Sequence, residues 1–159
     1  MANDIKTTDN EQGRKLNVAG GAYRIIISGK ETDGNYAIIE MTVPIGAGPV
    51  PHSHPDFEEI FYVLEGEVNF KSESGNFLAQ KGATVSIPKG GAIHNFKNIS
   101  DQPAKLLCTV MPAGLDDFFI EVETLMNSNQ SEGMDIKESI QLISEKYGQT
   151  LYSPNHLDL

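Results

Sequence analysis

Apolar and polar residues alternate in short stretches over residues 22–112. The alternation is clearest at 23–28 and 37–43, where the apolar members are Tyr23, Ile25, Ile27, Ala37, Ile39, Met41 and Val43. Side chains at every second position of a strand point to one face, so this pattern predicts half-buried strands. The segment at 32–35, Thr-Asp-Gly-Asn, has the composition of a turn that joins them.

Further strands are predicted at 59–64, 67–72, 76–80, 83–87, 93–98 and 104–111, in stretches punctuated by glycine. Residues 59–64 are apolar on both phases, so the pattern does not say which face lies inside. In the last stretch Leu106, Cys108 and Val110 share one phase. Closely spaced short strands with glycine turns predict an all-β fold, either an antiparallel sandwich or a barrel.

After Gly114 the period changes to that of a helix, with apolar residues at Leu115, Phe118, Phe119, Val122, Leu125 and Met126. A polar linker is predicted at 127–134. A second helix follows, opened by Asp135 and Glu138 as a capping box and ended near Gly148. The extension over 113–159 is therefore predicted to be helical.

Residues 1–17 are polar and without period, which predicts a flexible N-terminal arm before a barrel at 18–112. Leu16 and Val18 are the residues that would tie its end down, and a strand there is left open. A chain of 159 residues fits one domain.

The net charge of -10 makes nucleic acid an unfavourable partner, and the same holds for an anionic membrane surface. A single cysteine, Cys108, cannot form an internal disulfide. No apolar run approaches the roughly 20 residues that span a bilayer, and Met1-Ala2-Asn3-Asp4 does not resemble the start of a signal peptide. We therefore expect a cytoplasmic protein.

Three of the four histidines stand where they can meet one carboxylate. His52 and His54 are spaced i, i+2, Glu59 follows five residues later, and His94 opens a later predicted strand. Three imidazoles and a carboxylate suit one divalent metal ion, whether Fe, Mn, Ni, Co, Cu or Zn. A lone His-x-His is a weak signal, because such pairs also occur as plain surface residues.

Other polar and reactive residues are expected to matter less. Asp56 and Glu58 are expected to be solvated acids, Cys108 a core residue, Asn98 a turn residue and His156 exposed. Tyr62 would face a metal only if the register of its strand were opposite to the one assumed here.

Two stretches carry a family pattern. Residues 46–66, GAGPVPHSHPDFEEIFYVLEG, resemble the first cupin motif, and residues 82–98, GATVSIPKGGAIHNFKN, resemble the second. The second motif departs from the pattern by one extra residue between Pro88 and His94. Residues 28–36 and 111–114, with the helix that follows, further resemble the single-domain quercetin-dioxygenase-like cupins.

This resemblance implies a jelly-roll barrel, a double-stranded β-helix, with a metal ion on His52, His54, Glu59 and His94. It also implies an O2-using dioxygenase for a small aromatic or enolic, flavonol-like compound, with Glu59 as the catalytic base. Inward residues Ile39, Met41, Phe61 and Phe96 would line the substrate pocket, unless they are plain barrel core. The alternatives are a non-oxidative isomerase or decarboxylase and a non-catalytic small-molecule binder. A homodimer is expected from pairing at sheet edges.

Overall fold

The computed structural model describes residues 4–128 and 135–158. The strands are β1 (Arg14–Val18), β2 (Gly21–Ile27), β3 (Ala37–Val43), β4 (His52–Ser53), β5 (Glu58–Glu65), β6 (Glu67–Ser72), β7 (Gly75–Gln80), β8 (Thr84–Ile87), β9 (His94–Lys97), β10 (Ala104–Met111) and β11 (Thr150–Leu151). The helices are α1 (Leu115–Asn127) and α2 (Ile136–Lys146), and a short 3-10 turn covers Gly29–Thr32.

The strands form two sheets in which every pairing is antiparallel. One sheet has the order β1-β2-β3-β10-β5-β8, and the other has the order β11-β4-β9-β6-β7. Apart from β1-β2, β2-β3 and β6-β7, the paired strands are not consecutive in the sequence, which is the topology of a jelly roll. The prediction of an antiparallel barrel with two C-terminal helices is therefore confirmed.

The core lies between the sheets and follows the predicted alternation. On β3 and β10 every second residue is buried, beginning at Ala37 and at Ala104. The rings of Phe61, Phe70 and Phe96 contact one another across the sheets, with centroids 5.3 to 5.5 Å apart. Such tilted contacts fill the middle of the barrel.

The N-terminal arm ends in a strand at residues 14–18, the alternative that the sequence left open. β1 pairs with β2, which places Leu16 opposite Tyr23 and buries Leu16 and Val18. The polar residues of β1 are exposed, and one short strand with two buried side chains gives little periodic signal.

The C-terminal extension packs back onto the barrel. Phe119 of α1 meets the ring of Tyr23 edge to face at 5.0 Å. Asp135 caps α2 by accepting a hydrogen bond from the Lys137 N–H. Of the predicted linker, residues 129–134 lie outside the described residues. Within the described chain, neither helix has the length and apolarity required to cross a lipid bilayer.

β11 is an addition that the sequence did not predict. It pairs with β4, with Leu151 opposite His52, and the Tyr152 N–H donates to the Pro51 carbonyl at 2.9 Å. The extension is therefore part of the second sheet.

Candidate metal centre

The two sheets bring four side chains to one point inside the barrel. His52 on β4 lies opposite His94 on β9, and their ring centroids are 4.4 Å apart. His54 follows β4 directly, and Glu59 is the second residue of β5 on the facing sheet. All four are buried, and one ligand atom from each lies within 4.8 Å of the others.

Backbone carbonyls fix the tautomer of all three histidines. Nδ1 of His52 lies 2.9 Å from the Val50 carbonyl oxygen, and Nδ1 of His94 lies 2.8 Å from that of Ala92. His54 Nδ1 lies 3.0 Å from the Phe57 carbonyl oxygen. A carbonyl only accepts hydrogen bonds, so each Nδ1 must carry a proton. In the neutral rings the lone pair is therefore on Nε2, toward the centre.

Phe57 orients His54 in a second way. The two rings stack with centroids 4.1 Å apart and planes within 9° of parallel. The short loop between β4 and β5 thus supplies both a hydrogen-bond acceptor and a flat apolar wall to one histidine.

Two of the candidate ligands, His54 and Glu59, are in direct contact. His54 Nε2 lies 2.8 Å from Glu59 Oε2, although neither atom carries a proton when His54 is neutral and Glu59 ionised. In the metal-free protein the contact therefore requires a shared proton. Burial works against the charged imidazole, but the hydrogen bond to Glu59 and its negative charge raise the pKa of His54.

The other groups are held in the states that a metal requires. Burial and the neighbouring His94 lower the pKa of His52 to about 4, so this ring is neutral at physiological pH. Burial alone would raise the pKa of Glu59, but the imidazoles of His54 and His94 outweigh it and lower that pKa to about 2. The centre therefore offers a carboxylate and at least one free imidazole lone pair.

The surroundings of His94 indicate that the cluster fits a metal ion. Its Nε2 is buried and has no hydrogen-bond partner in the described structure, and it lies 3.5 Å from Glu59 Oε2. Leaving such an atom unsatisfied costs about 1–3 kcal/mol. A cation among the three Nε2 atoms would satisfy His94 and replace the proton on His54. The donor set of three nitrogens and one oxygen suits a first-row divalent metal.

A family model described as a cupin domain matches residues 39–110, which contain all four candidate ligands. The chain therefore contains a cupin domain.

Curated relatives share parts of this cupin. It is 36% identical over 76 residues to an uncharacterized protein of Methanocaldococcus jannaschii, a match that covers 48% of this chain and 60% of that protein. It is 23% identical over 111 residues to the quercetin 2,3-dioxygenase of Bacillus subtilis, covering 70% of this chain and 32% of the enzyme. The chain thus spans less than two thirds of either relative.

Among solved structures, KdgF from Halomonas sp. superimposes with a TM-score of 0.62 at 16% identity. The match covers 72% of this cupin and 99% of that chain. At this level of identity the likeness concerns the fold alone.

The extra residue before His94 is absorbed by a loop. Gly90 and Gly91 adopt positive φ angles of 120° and 83°, which favour glycine. The Gly90 N–H also donates to the Pro55 carbonyl at 3.0 Å, next to His54. His94 consequently keeps its register opposite His52.

The four residues predicted to bind substrate do not line the groove beside His94. Ile39, Met41, Phe61 and Phe96 are all buried in the hydrophobic core. A groove of about 350 Å³ does reach His94, and none of these four lines it. Its walls are Phe70, Lys71, Ser72, Ser74, Gly75, Phe77, Val85, Ser86, Ile87, Pro88 and Ala92. That the four core residues contact substrate stays a prediction.

Two residues near Glu59 were not predicted from the sequence to lie beside it. Cys108, expected only as a core residue, is buried with its Sγ 3.9 Å from Glu59 Oε1. The pKa of the Tyr23 hydroxyl is raised by burial and by the negative charge that Cys108 and Glu59 can carry. The only signal for either residue was its place on the inward phase of a strand.

The polar residues that were not predicted to bind the metal lie outside the centre. Asp56 and His156 are exposed, and Tyr62 points outward. Asn98 is buried and closes the turn before β10 by donating to the Gln102 carbonyl at 2.7 Å.

Proposed function

We propose that this cupin is a metal-dependent dioxygenase that acts on a small aromatic or enolic compound of flavonol type. The observation that carries the proposal is the buried ring of three fixed Nε2 atoms and one carboxylate, next to a groove. The partial similarity to a quercetin 2,3-dioxygenase supports the choice of reaction.

His52, His54 and His94 would hold the ion, together with Glu59. A bound divalent ion would supply a Lewis acid and, where it is redox-active, electrons for O2. The protein supplies the geometry, because the Nδ1 hydrogen bonds prevent each imidazole from turning its lone pair away.

Glu59 would take the proton of a substrate hydroxyl if its contact with the ion loosens. It is the only carboxylate in the cluster, and its lowered pKa keeps it ionised at neutral pH. Its position beside His54 and His94 places it within reach of a group bound at the centre.

The groove fits a flat apolar molecule with a few hydroxyl groups. Phe70 and Phe77 offer aromatic surface, and Ser72 and Ser86 offer hydroxyls. Phe77 is about half exposed, at 53%, so its ring is free to cover a ligand. The two phenylalanines, with Val85, Ile87 and Pro88 as further apolar wall, favour an aromatic or enolic substrate over a sugar.

The test is O2 uptake with a flavonol and the protein loaded separately with Fe, Mn, Ni, Co or Cu. We expect one O2 consumed per substrate with wild type and with His156→Ala, which removes a histidine outside the cluster. His94→Ala is expected to lose this activity. Turnover without O2 uptake would replace the proposal with a non-oxidative isomerase or decarboxylase. Metal and ligand binding without turnover would leave a binder.

A further inference from the structure

The two oxygens of Glu59 have different neighbours. Oε2 faces the imidazoles, 2.8 Å from His54 Nε2 and 3.5 Å from His94 Nε2. Oε1 faces Cys108, whose Sγ is 3.9 Å away. The carboxylate is thus held from both sides, by candidate metal ligands on one side and by a thiol on the other.

The fold explains why the thiol reaches this carboxylate. β10 is paired with β5, with Val110 opposite Glu59 and Cys108 opposite Phe61. Cys108 and Glu59 both point inward, so their side chains meet on a diagonal across the strand pair. Cys108 is completely buried, and among the described residues Glu59 is the hydrogen-bond partner found for its thiol.

A buried thiol in this position acts as a donor. A thiol carries its proton on the sulfur, and with Oε1 3.9 Å away it can donate a weak S–H···O hydrogen bond to that oxygen.

We propose that Cys108 is a positioning residue that holds Glu59 Oε1 away from the centre, so that Oε2 faces the three Nε2 atoms. This inference rests on the metal centre of the proposed function and not on the reaction with O2.

The thiol matters most when the centre is occupied. His54 Nε2 is itself a candidate ligand, so an ion at the centre would take its lone pair away from the contact with Oε2. Cys108 lies outside the ligand set, and its contact with Oε1 does not depend on that lone pair.

The test compares Co²⁺ binding, measured by titration and by the visible absorption of the bound ion, in four proteins. They are wild type, Cys108→Ala, Cys108→Ser and Leu106→Val. Cys108→Ala removes the donor, whereas Cys108→Ser keeps an O–H in its place. Leu106→Val removes one methylene from the adjacent inward position and serves as the packing control.

We expect Cys108→Ala to weaken Co²⁺ binding by about tenfold or more, the lower end of the range for groups that orient metal ligands. Its Co²⁺ spectrum should also change. Cys108→Ser and Leu106→Val should stay close to wild type. Melting temperatures of the metal-free proteins establish that each variant is folded.

Equal affinity and equal spectra in wild type and Cys108→Ala would overturn the inference. So would equal weakening in Leu106→Val, which would make the effect one of packing. Absence of Co²⁺ binding in wild type is a different outcome, because it would remove the metal centre and the proposed function together.

Discussion

His52 and His94 are 42 positions apart in the sequence, but they lie directly opposite each other across β4 and β9, with 4.4 Å between their ring centroids. This pairing joins the two motifs into one centre. It depends on β4, a strand of only two residues that has β9 on one side and β11 on the other.

The C-terminal strand should therefore influence metal binding. Tyr152→Pro removes the N–H that donates to the Pro51 carbonyl and should loosen β4, because proline cannot replace that donor. We expect weaker metal binding and a lower melting temperature than in Tyr152→Ala, which removes the side chain but keeps the N–H. Equal values for the two variants would show that the pairing of β11 with β4 is irrelevant to the centre.

Metal affinity should fall as the pH falls. The pKa of His54 is raised, so in the metal-free protein Nε2 keeps a proton over a wider pH range than in a free histidine. Below that pKa a metal must displace the proton, and one proton corresponds to about a tenfold loss of affinity per pH unit. Titration with Ni²⁺ between pH 8 and pH 5.5 tests this. A flat profile over that range would contradict the shared proton.

Glu59→Gln should weaken metal binding while preserving the shape of the site. The amide keeps an oxygen but loses the charge that offsets the cation and raises the pKa of His54. We expect about a 10- to 100-fold loss of affinity, with little loss in Glu58→Gln, which changes the adjacent half-buried acid on the same strand. Comparable losses in both variants would point to net charge as the cause.

Gly48 should be indispensable for the approach of the first motif to β9. A Cβ at this position would meet the Phe96 carbonyl oxygen at 1.9 Å and the Lys97 Cα at 2.9 Å. We expect Gly48→Ala to destabilise the protein by about 1–3 kcal/mol or more, the usual cost of overpacking. In Gly46→Ala the added Cβ meets nothing within 4 Å, so only the backbone cost at its φ of 77° remains. Denaturant unfolding of both variants makes the comparison, and equal losses would contradict the clash.

The four candidate ligands could be predicted from the sequence, but the contacts that orient them could not. His52, His54, Glu59 and His94 could be named because side-chain chemistry and motif spacing are visible in a sequence. The hydrogen bonds from Nδ1 to the carbonyls of Val50, Phe57 and Ala92 could not be predicted. Every residue has a carbonyl, and only the folded loops direct these three toward Nδ1.

Contacts between strands that are distant in sequence could not be predicted for a related reason. Alternation indicated that Cys108 points inward, but its contact with Glu59 depends on the register of β10 against β5. The same holds for β1 and β11, which are too short for a periodic pattern of their own and whose pairing with β2 and β4 depends on the fold.

The central claim is that the buried cluster holds one metal ion, and elemental analysis of the purified protein tests it most directly. After incubation with Fe²⁺, Mn²⁺ or Ni²⁺ and removal of excess ion, we predict about one equivalent of metal per chain in wild type and in His156→Ala. We predict a large loss in His94→Ala, which removes the unpartnered Nε2. Absence of metal in wild type with every ion, or equal content in wild type and His94→Ala, would contradict the claim.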